Sequence, residues 1–445
     1  GAGQGLALRG GTPGAPMPRP RPEPLLNPTR RGLVAWALYD WANSAFPTVV
    51  ITFVFATYFS EGVVGDPERG QSLWGLAMAL SGIAVAILAP LVGAVADRSG
   101  RRKPWLLFFT LLCLAAGAGL WFVEPDPAFL VLGLVLAGLA NLGFEFGTVF
   151  YNAMLPDLAP PRLYGRLSGW AWGLGYAGGL ACLALTLVLL IQPETPPFGL
   201  DKVAAEHVRA IGPLVALWYL AFAWPLFLFT PDRPAVRIGA GEALRAGLAQ
   251  LWGTLKGLRQ HGTILRFLLA RLFYTDGLNT LFAFGGIYAA GSFGMNLEEI
   301  LIFGILLNVT AGLGAVAFAW IDDRVGAKPT IMISLVALVI LSSVILLVEG
   351  KLWFYVIGSA IGIFIGPAQS ASRSLMAHLA PADQRTEMFG LFALTGKVTA
   401  FLGPALVALL TAVFDSQRIG MTAILLLFVV GLVVLWPLKA PARVS

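Results

Sequence analysis

The sequence predicts an all-α polytopic membrane protein, with twelve transmembrane helices arranged as two pseudo-symmetric six-helix bundles. Composition is the first ground: the 445 residues are 57% hydrophobic and only 12% charged, with a mean hydropathy of +0.78, whereas soluble domains carry roughly 25% charged residues. The second is the recurrence, along almost the whole chain, of apolar stretches of the ~20 residues a bilayer-spanning helix needs. The third is internal repetition, because landmarks in the first half return in the same order in the second.

Residues 1–31 come first, Gly/Pro/Arg-rich and without an apolar run; they read as a disordered tail rather than a secretory signal. Six apolar runs follow at about 33–60, 73–96, 104–123, 128–155, 165–191 and 211–230, forming a first bundle over 32–230. Residues 231–263 make a long basic connection in which 241–260 alternate Leu/Trp with Arg/Lys at helical spacing, as in an amphipathic helix on a membrane face or a plain linker helix. Six more runs at about 264–291, 297–321, 329–348, 351–377, 386–413 and 418–437 form a second bundle over 264–437, and 438–445 are a short tail. With the N-terminal tail placed inside, the outside loops hold only Arg69, Lys202, Arg209, Lys351 and Arg418. All other loop cations, including Arg98, Arg101, Arg102, Lys103, Arg233 and Arg324, fall inside. That asymmetry predicts cytoplasmic termini and explains the net charge of +6 without nucleic acid. Cys113 and Cys182 lie within apolar runs and are expected to be free and buried.

The repeat is specific. GAVADRSGRRK (93–103) follows the second run and AWIDDRVGAK (319–328) the eighth, so Asp-Arg-x-Gly ends the second helix of each half. YNAMLPDLAP (151–160) answers SRSLMAHLAP (372–381), and SGWAWGLGYAGG (168–179) answers TGKVTAFLGP (395–404). Asp40-x-x-Asn43 in the first run answers Asp276-x-x-Asn279 in the seventh.

GAVADRSGRRK resembles the signature loop of the major facilitator superfamily, G-x-x-x-D-R-x-G-R-R-K, and the likeness extends over all twelve runs. Within that superfamily, WALYDWANSAF (36–46), YNAMLPDLAP and GPAQSASRSLMAHLAP with EMFGLFALTGKVTAFLGP (366–404) resemble the branch that includes the fungal vacuolar effluxers and bacterial relatives. The resemblance implies the major facilitator fold and transport by alternating access, and, from the branch, amino-acid export. It also implies that Asp97 links helix two to helix eleven and holds an outward-facing state, braced by Arg101 and Arg102. Gly93, Arg98 and Gly100 complete that loop. In the second copy, with Asp323 and Arg324, Ala327 and Lys328 replace the two arginines, so this loop is the less supported latch. The basic residues also serve as topogenic charges.

Ionisable groups within membrane helices cost about 2.5–3.5 kcal/mol each at the bilayer centre, so they are expected to face a cavity or a partner. The substrate-binding or coupling candidates are Tyr39, Asp40, Asn43, Glu145, Asn152, Asp276, Asn279, Gln369, Arg373 and Lys397. Most lie in the first, fourth, seventh and tenth runs, which line the path in this fold. Asp276 with Lys397 is the expected pair within one half, and Arg373 with Asp40 or Glu145 the expected pair across the halves; the alternative is that they are static pairs that fix helix register. Tyr39, Tyr151, Tyr176 and Tyr274 read as packed rings with a hydroxyl partner. An amino acid would find its carboxylate partner in Arg373 or Lys397 and its amine partner in Asp276 or Asp40. A proton carried by one of the acids would supply coupling.

No nucleophile–base pair, metal-ligand spacing or phosphate-cradling loop is present; His207, His261 and His378 lie in loops or at helix ends. Neither an enzyme nor a cofactor or metal is expected. The reading is a monomeric secondary transporter of a small solute, proton-coupled and exporting amino acids, in a bacterial inner membrane. An exporter of a drug, lipid or other organic solute, or a non-transporting receptor, are its alternatives.

Overall fold

The computed structural model describes residues 26, 28–257 and 262–439, and every regular element among them is helical. Most of the expected N-terminal tail, linker residues 258–261 with His261, and tail residues 440–445 lie outside the described residues.

Among the described residues, ten helices are long and apolar enough to cross a bilayer. In the first half these are spans one to six: Arg30–Val63, Pro67–Ser99, Lys103–Phe122, Pro127–Leu158, Pro161–Ile191 and Glu206–Phe229. In the second half they are span eight (Leu297–Val325), nine (Ala327–Ile345), ten (Lys351–Leu379) and twelve (Gln417–Leu435). Span seven, Gly262–Phe293, is as long but is diluted by Arg266, Arg271, Asp276 and Asn279.

Span eleven is not the continuous helix expected over 386–413. It consists of Arg385–Thr395 and Leu402–Phe414, separated by a run of turns. Pro404 has no N–H to return to the Ala400 carbonyl, which is the local reason the helix does not run through. Span one is also irregular: Phe46–Phe53, with Pro47 at its start, and Phe59–Val63 are wound as π-helix, a form that favours functional segments.

Helix ends follow local chemistry. Asp66 caps span two through the Glu68 and Arg69 N–H groups, and Asn296 with Glu299 forms a reciprocal capping box on span eight. Asp-Arg-x-Gly stops spans two and eight at Gly100 (φ 80°) and Gly326 (φ 107°), a backbone region that glycine enters without steric cost.

The halves meet where span two packs on the first segment of span eleven and span five packs on span eight. Gly93 makes the first contact possible: a Cβ there would lie 2.6 Å from the Thr386 carbonyl oxygen. Gly169 serves the second, 2.5 Å from the Ala315 carbonyl oxygen. Gly175 and Gly179 press on Ser44 and Thr48 of span one, so the GYAGG glycines are packing sites. Leu76, Leu80, Ile83 and Ile87 form an exposed stripe at helical spacing on span two, as a lipid-facing surface requires.

The connection contains the helix Ala240–Gly257, whose docking is inverted relative to a soluble amphipathic helix. Ala243, Gly247, Gln250 and Thr254 are buried against the protein, while Leu244, Leu248, Trp252 and Leu255 are exposed. Gly247 sits on Val95 of span two, and the Gln250 amide donates to Glu387 at 2.5 Å. Cys113 and Cys182 are free and buried.

Candidate functional site

Asp40 and Arg373 form the expected pair across the halves, 2.9 Å apart. Arg373 is 2% exposed and every nitrogen of its fork is used. Nη1 donates to Asp40 and to the Asn152 side-chain oxygen (3.1 Å), Nε donates to the Ser168 hydroxyl (2.8 Å), and Nη2 donates to the Ser168 carbonyl (2.7 Å). Trp36, Tyr151 and Trp172 surround the guanidinium at 5.4–5.7 Å, a cage suited to a planar cation. One side chain of span ten thus clasps spans one, four and five. The Ser168 hydroxyl donates to the Ser370 carbonyl (2.7 Å) and the Tyr176 hydroxyl to Gln369 (2.7 Å), so Gln369 joins the same seam.

Tyr39 and Asn43 do not join it. The Tyr39 hydroxyl lies between Thr110 and Tyr219 at 2.7 and 2.8 Å, within the first half. Asn43 is buried beside Ser44, which donates to it at 3.3 Å.

The expected Asp276–Lys397 pair does not form. Lys397 lies in the unwound stretch of span eleven and reaches across the halves to Glu145 of span four, at 2.6 Å. Asp276 instead accepts the Gly403 N–H at 2.9 Å, at the start of the outer segment, where aligned amides favour a carboxylate. Asn279 donates to the Gly396 carbonyl at 3.4 Å. Asp276-x-x-Asn279 therefore straddles the break, its acid on the freed N–H side and its amide on the freed carbonyl side.

At the basic face both copies of Asp-Arg-x-Gly close the halves. Asp97 accepts the Thr386 and Glu387 N–H groups of span eleven (3.1 and 2.9 Å). Asp323 accepts the Arg166 N–H and Nε of span five (3.1 and 3.0 Å). The second loop thus joins the halves through the same kind of contact as the first, despite its altered basic residues, because the cap needs only the acid and a helix start. Arg102 braces the first latch: it is 1% exposed, stands 3.7 Å from Asp97 and donates to the Thr386 hydroxyl at 2.9 Å. Arg101, Arg98 and Arg324 are exposed, as topogenic charges would be, and among the described residues neither Arg101 nor Arg324 makes an ion pair.

Two groups escaped the sequence reading. Asp157, inside YNAMLPDLAP, is the hub of the basic face, ion-paired with Arg102, Arg233 and Arg385; its signal was an acid followed by Leu-Ala-Pro at a span end. Arg271 of span seven donates to the Phe392 carbonyl and the Thr395 hydroxyl, holding the carbonyl end of the inner segment. An arginine five residues before Asp276 was the available sign.

A cavity of about 360 Å³ opens at the opposite end, lined by Thr48 and Phe53 of span one, Phe282 of span seven, Phe303 and Asn308 of span eight, and Phe354 of span ten. Its walls carry no charged side chain. Among the described residues no group of acids, histidines and cysteines has metal-binding geometry.

Known proteins resemble this chain in sequence and in fold. The family model described as vacuole effluxer Atg22 like matches residues 62–442. The MFS-type transporter YxiO of Bacillus subtilis is 28% identical over 406 residues, which cover 90% of this chain and 93% of that protein. Autophagy-related protein 22 of Coccidioides immitis is 24% identical over 477 residues, covering 86% and 77%. In three dimensions the proton:xylose symporter XylE superposes with a TM-score of 0.71 at 15% identity over 92% and 95% of the two chains. The human organic anion transporter MFSD10 superposes with a TM-score of 0.67 at 17% identity over 91% and 99%. At these identities the structural likeness concerns the fold alone.

Proposed function

The chain belongs to the vacuole effluxer Atg22-like family and is a membrane transporter of the major facilitator superfamily, not an enzyme; from this premise we propose that it exports amino acids, coupled to protons. The observation that carries the proposal is the pair of ion bridges across the halves, Asp40–Arg373 and Glu145–Lys397. Each offers a cation for a carboxylate and an acid for an ammonium group. A zwitterion competing for one bridge satisfies both of its partners at once, so opening the halves leaves no buried charge alone.

Alternating access then follows from rocking of the two bundles, residues 32–230 and 264–437. The Asp97 and Asp323 latches hold the basic face shut, and Arg373 seals the seam behind them. Glu145 is the proposed proton carrier: its side chain is 16% exposed and that of Lys397 31%, so this is the bridge that solvent reaches. Protonating Glu145 removes the anion and frees Lys397. We further propose that the basic face is cytoplasmic, that the membrane is a bacterial inner membrane, and that one chain is the working unit. Loop charge supports the first and the Bacillus relative the second.

The uncharged cavity favours a second reading, export of an apolar organic solute. Flux of a labelled amino-acid panel into proteoliposomes, with and without a pH gradient, separates the two. Gradient-driven flux of one amino-acid group, with Glu145→Gln retaining exchange but losing the gradient response, is expected. If folded protein moves no amino acid but moves an apolar dye, the second reading replaces the first.

A further inference from the structure

Beside the break in span eleven, span seven holds two buried side-chain oxygens without a hydrogen-bond partner. Asp276 is 2% exposed. One of its oxygens accepts the Gly403 N–H, and the other, Oδ1, is buried without a hydrogen-bond partner. Thr280 lies one turn further along the same face of span seven, is fully buried, and its hydroxyl also lacks a partner. That is unusual in this chain. Thr110, Thr148, Thr186 and Thr330 all turn their hydroxyls back to the carbonyl four residues earlier, as mid-helix threonines do, whereas Thr280 does not return to Asp276. Its hydroxyl instead lies against Gly403, where a Cβ would collide with it.

The unwound backbone adds to the set. The Leu402 N–H donates to Thr399 rather than to the Val398 carbonyl, Pro404 cannot serve Ala400, and the buried Thr399 hydroxyl has no partner. The cations of the seam are engaged elsewhere: Lys397 on Glu145, Arg373 on Asp40, and Arg271 on Phe392 and Thr395. A buried carboxylate oxygen with neither donor nor counter-charge is costly.

We infer that Asp276 and Thr280, with the unwound backbone between the two segments of span eleven, bind a small alkali cation, sodium by class. The donors are all oxygens, which suits a hard cation rather than a transition metal. A single carboxylate matches one positive charge, where calcium gathers several acids. Broken membrane helices supply such carbonyl-and-acid sites for coupling ions in other folds. Occupancy ties span seven to the outer segment of span eleven. It thereby sets the unwound stretch from which Lys397 reaches Glu145, whatever the cargo.

The test uses the purified full-length chain in detergent, followed by thermal unfolding and by binding of radioactive sodium, with no amino acid present. Sodium chloride is titrated against choline chloride at constant ionic strength. Wild type should show a saturable rise in Tm with sodium alone. Asp276→Asn, which keeps an acceptor for Gly403 but loses the charge, should abolish it. Thr280→Val should raise half-saturating sodium at least tenfold, while Thr280→Ser, which keeps the hydroxyl, stays near wild type and controls for folding. An equal response to choline, a Tm that follows pH but not sodium, or unchanged half-saturation in Thr280→Val would overturn the site. Amino-acid flux is not read, so failure here leaves the cargo proposal standing.

Discussion

Replacing Arg373 by Met keeps most of the side-chain volume and removes one guanidinium. Four hydrogen bonds to Asp40, Asn152 and Ser168 go with it, and Asp40, 13% exposed at its side chain, is left without its counter-charge. Removing one partner of a buried pair costs about 3–5 kcal/mol. All four contacts join span ten to the first half, so the cost falls on the closed arrangement of the basic face and is relieved when that face opens. At 1.4 kcal/mol per decade, the closed-to-open ratio should fall by about two to three and a half orders of magnitude. Nitroxide labels at Arg162→Cys and Asp383→Cys, exposed positions on opposite halves, report this by double electron–electron resonance. The native cysteines are buried and stay unlabelled. Arg373→Met should move the distance distribution to longer values, and Asp40→Asn in the same chain should restore part of the short population by removing the stranded charge. An unchanged distribution in folded Arg373→Met would refute the claim that this pair holds the face shut.

Other perturbations test the packing and the latches. Gly93→Ala places a methyl 2.6 Å from the Thr386 carbonyl oxygen and should lengthen the same label distance without altering charge; Gly75→Ala, with open space around it, should leave it unchanged. Asp97→Asn should weaken closure more than Asp323→Asn, by about 1–2 kcal/mol against under 1. The Asp97 side chain is 1% exposed, whereas Arg166, the partner of Asp323, is 40% exposed; equal label-distance shifts in the two variants would contradict this. Asp157→Asn leaves Arg102, Arg233 and Arg385 converging on a neutral amide and should cost about 3–5 kcal/mol, read as a fall in Tm of the detergent-solubilised protein that exceeds that of Asp97→Asn.

Residue patterns carried the fold far. Twelve spans were legible because each must satisfy its own backbone in lipid and so writes a long apolar run. The repeat was legible because Asp-Arg-x-Gly needs both an acid at a helix end and a glycine at positive φ. The resemblance carried by that motif implied the Asp97 contact with span eleven, although the weakness assigned to the second copy rested on two arginines of which only Arg102 touches the first loop's contact. Arg102 alone turned inward, and Arg101, its neighbour in the chain, faces out.

Span eleven marks where that legibility stopped. TGKVTAFLGP gave a lysine, a Gly-Pro and an apolar context, and matching Lys397 to Asp276 within one half was the economical choice. In the folded chain the helix unwinds there, Lys397 crosses to Glu145, and Asp276 turns to a backbone N–H. Asp157 was visible as a letter but not as a hub, because Arg102, Arg233 and Arg385 come from three distant parts of the chain.

By itself, then, the sequence determined what must be true of each segment against its solvent: which runs enter lipid, which ends carry positive charge, and which helices hold costly polar groups. The tertiary structure alone decided which of those groups meet. Each residue along a helix turns the side chain by about 100°, and one unwound stretch resets that angle, so the partner of a buried charge depends on the rotation and depth of helices far apart in the chain. Spacing within a single helix cannot encode that.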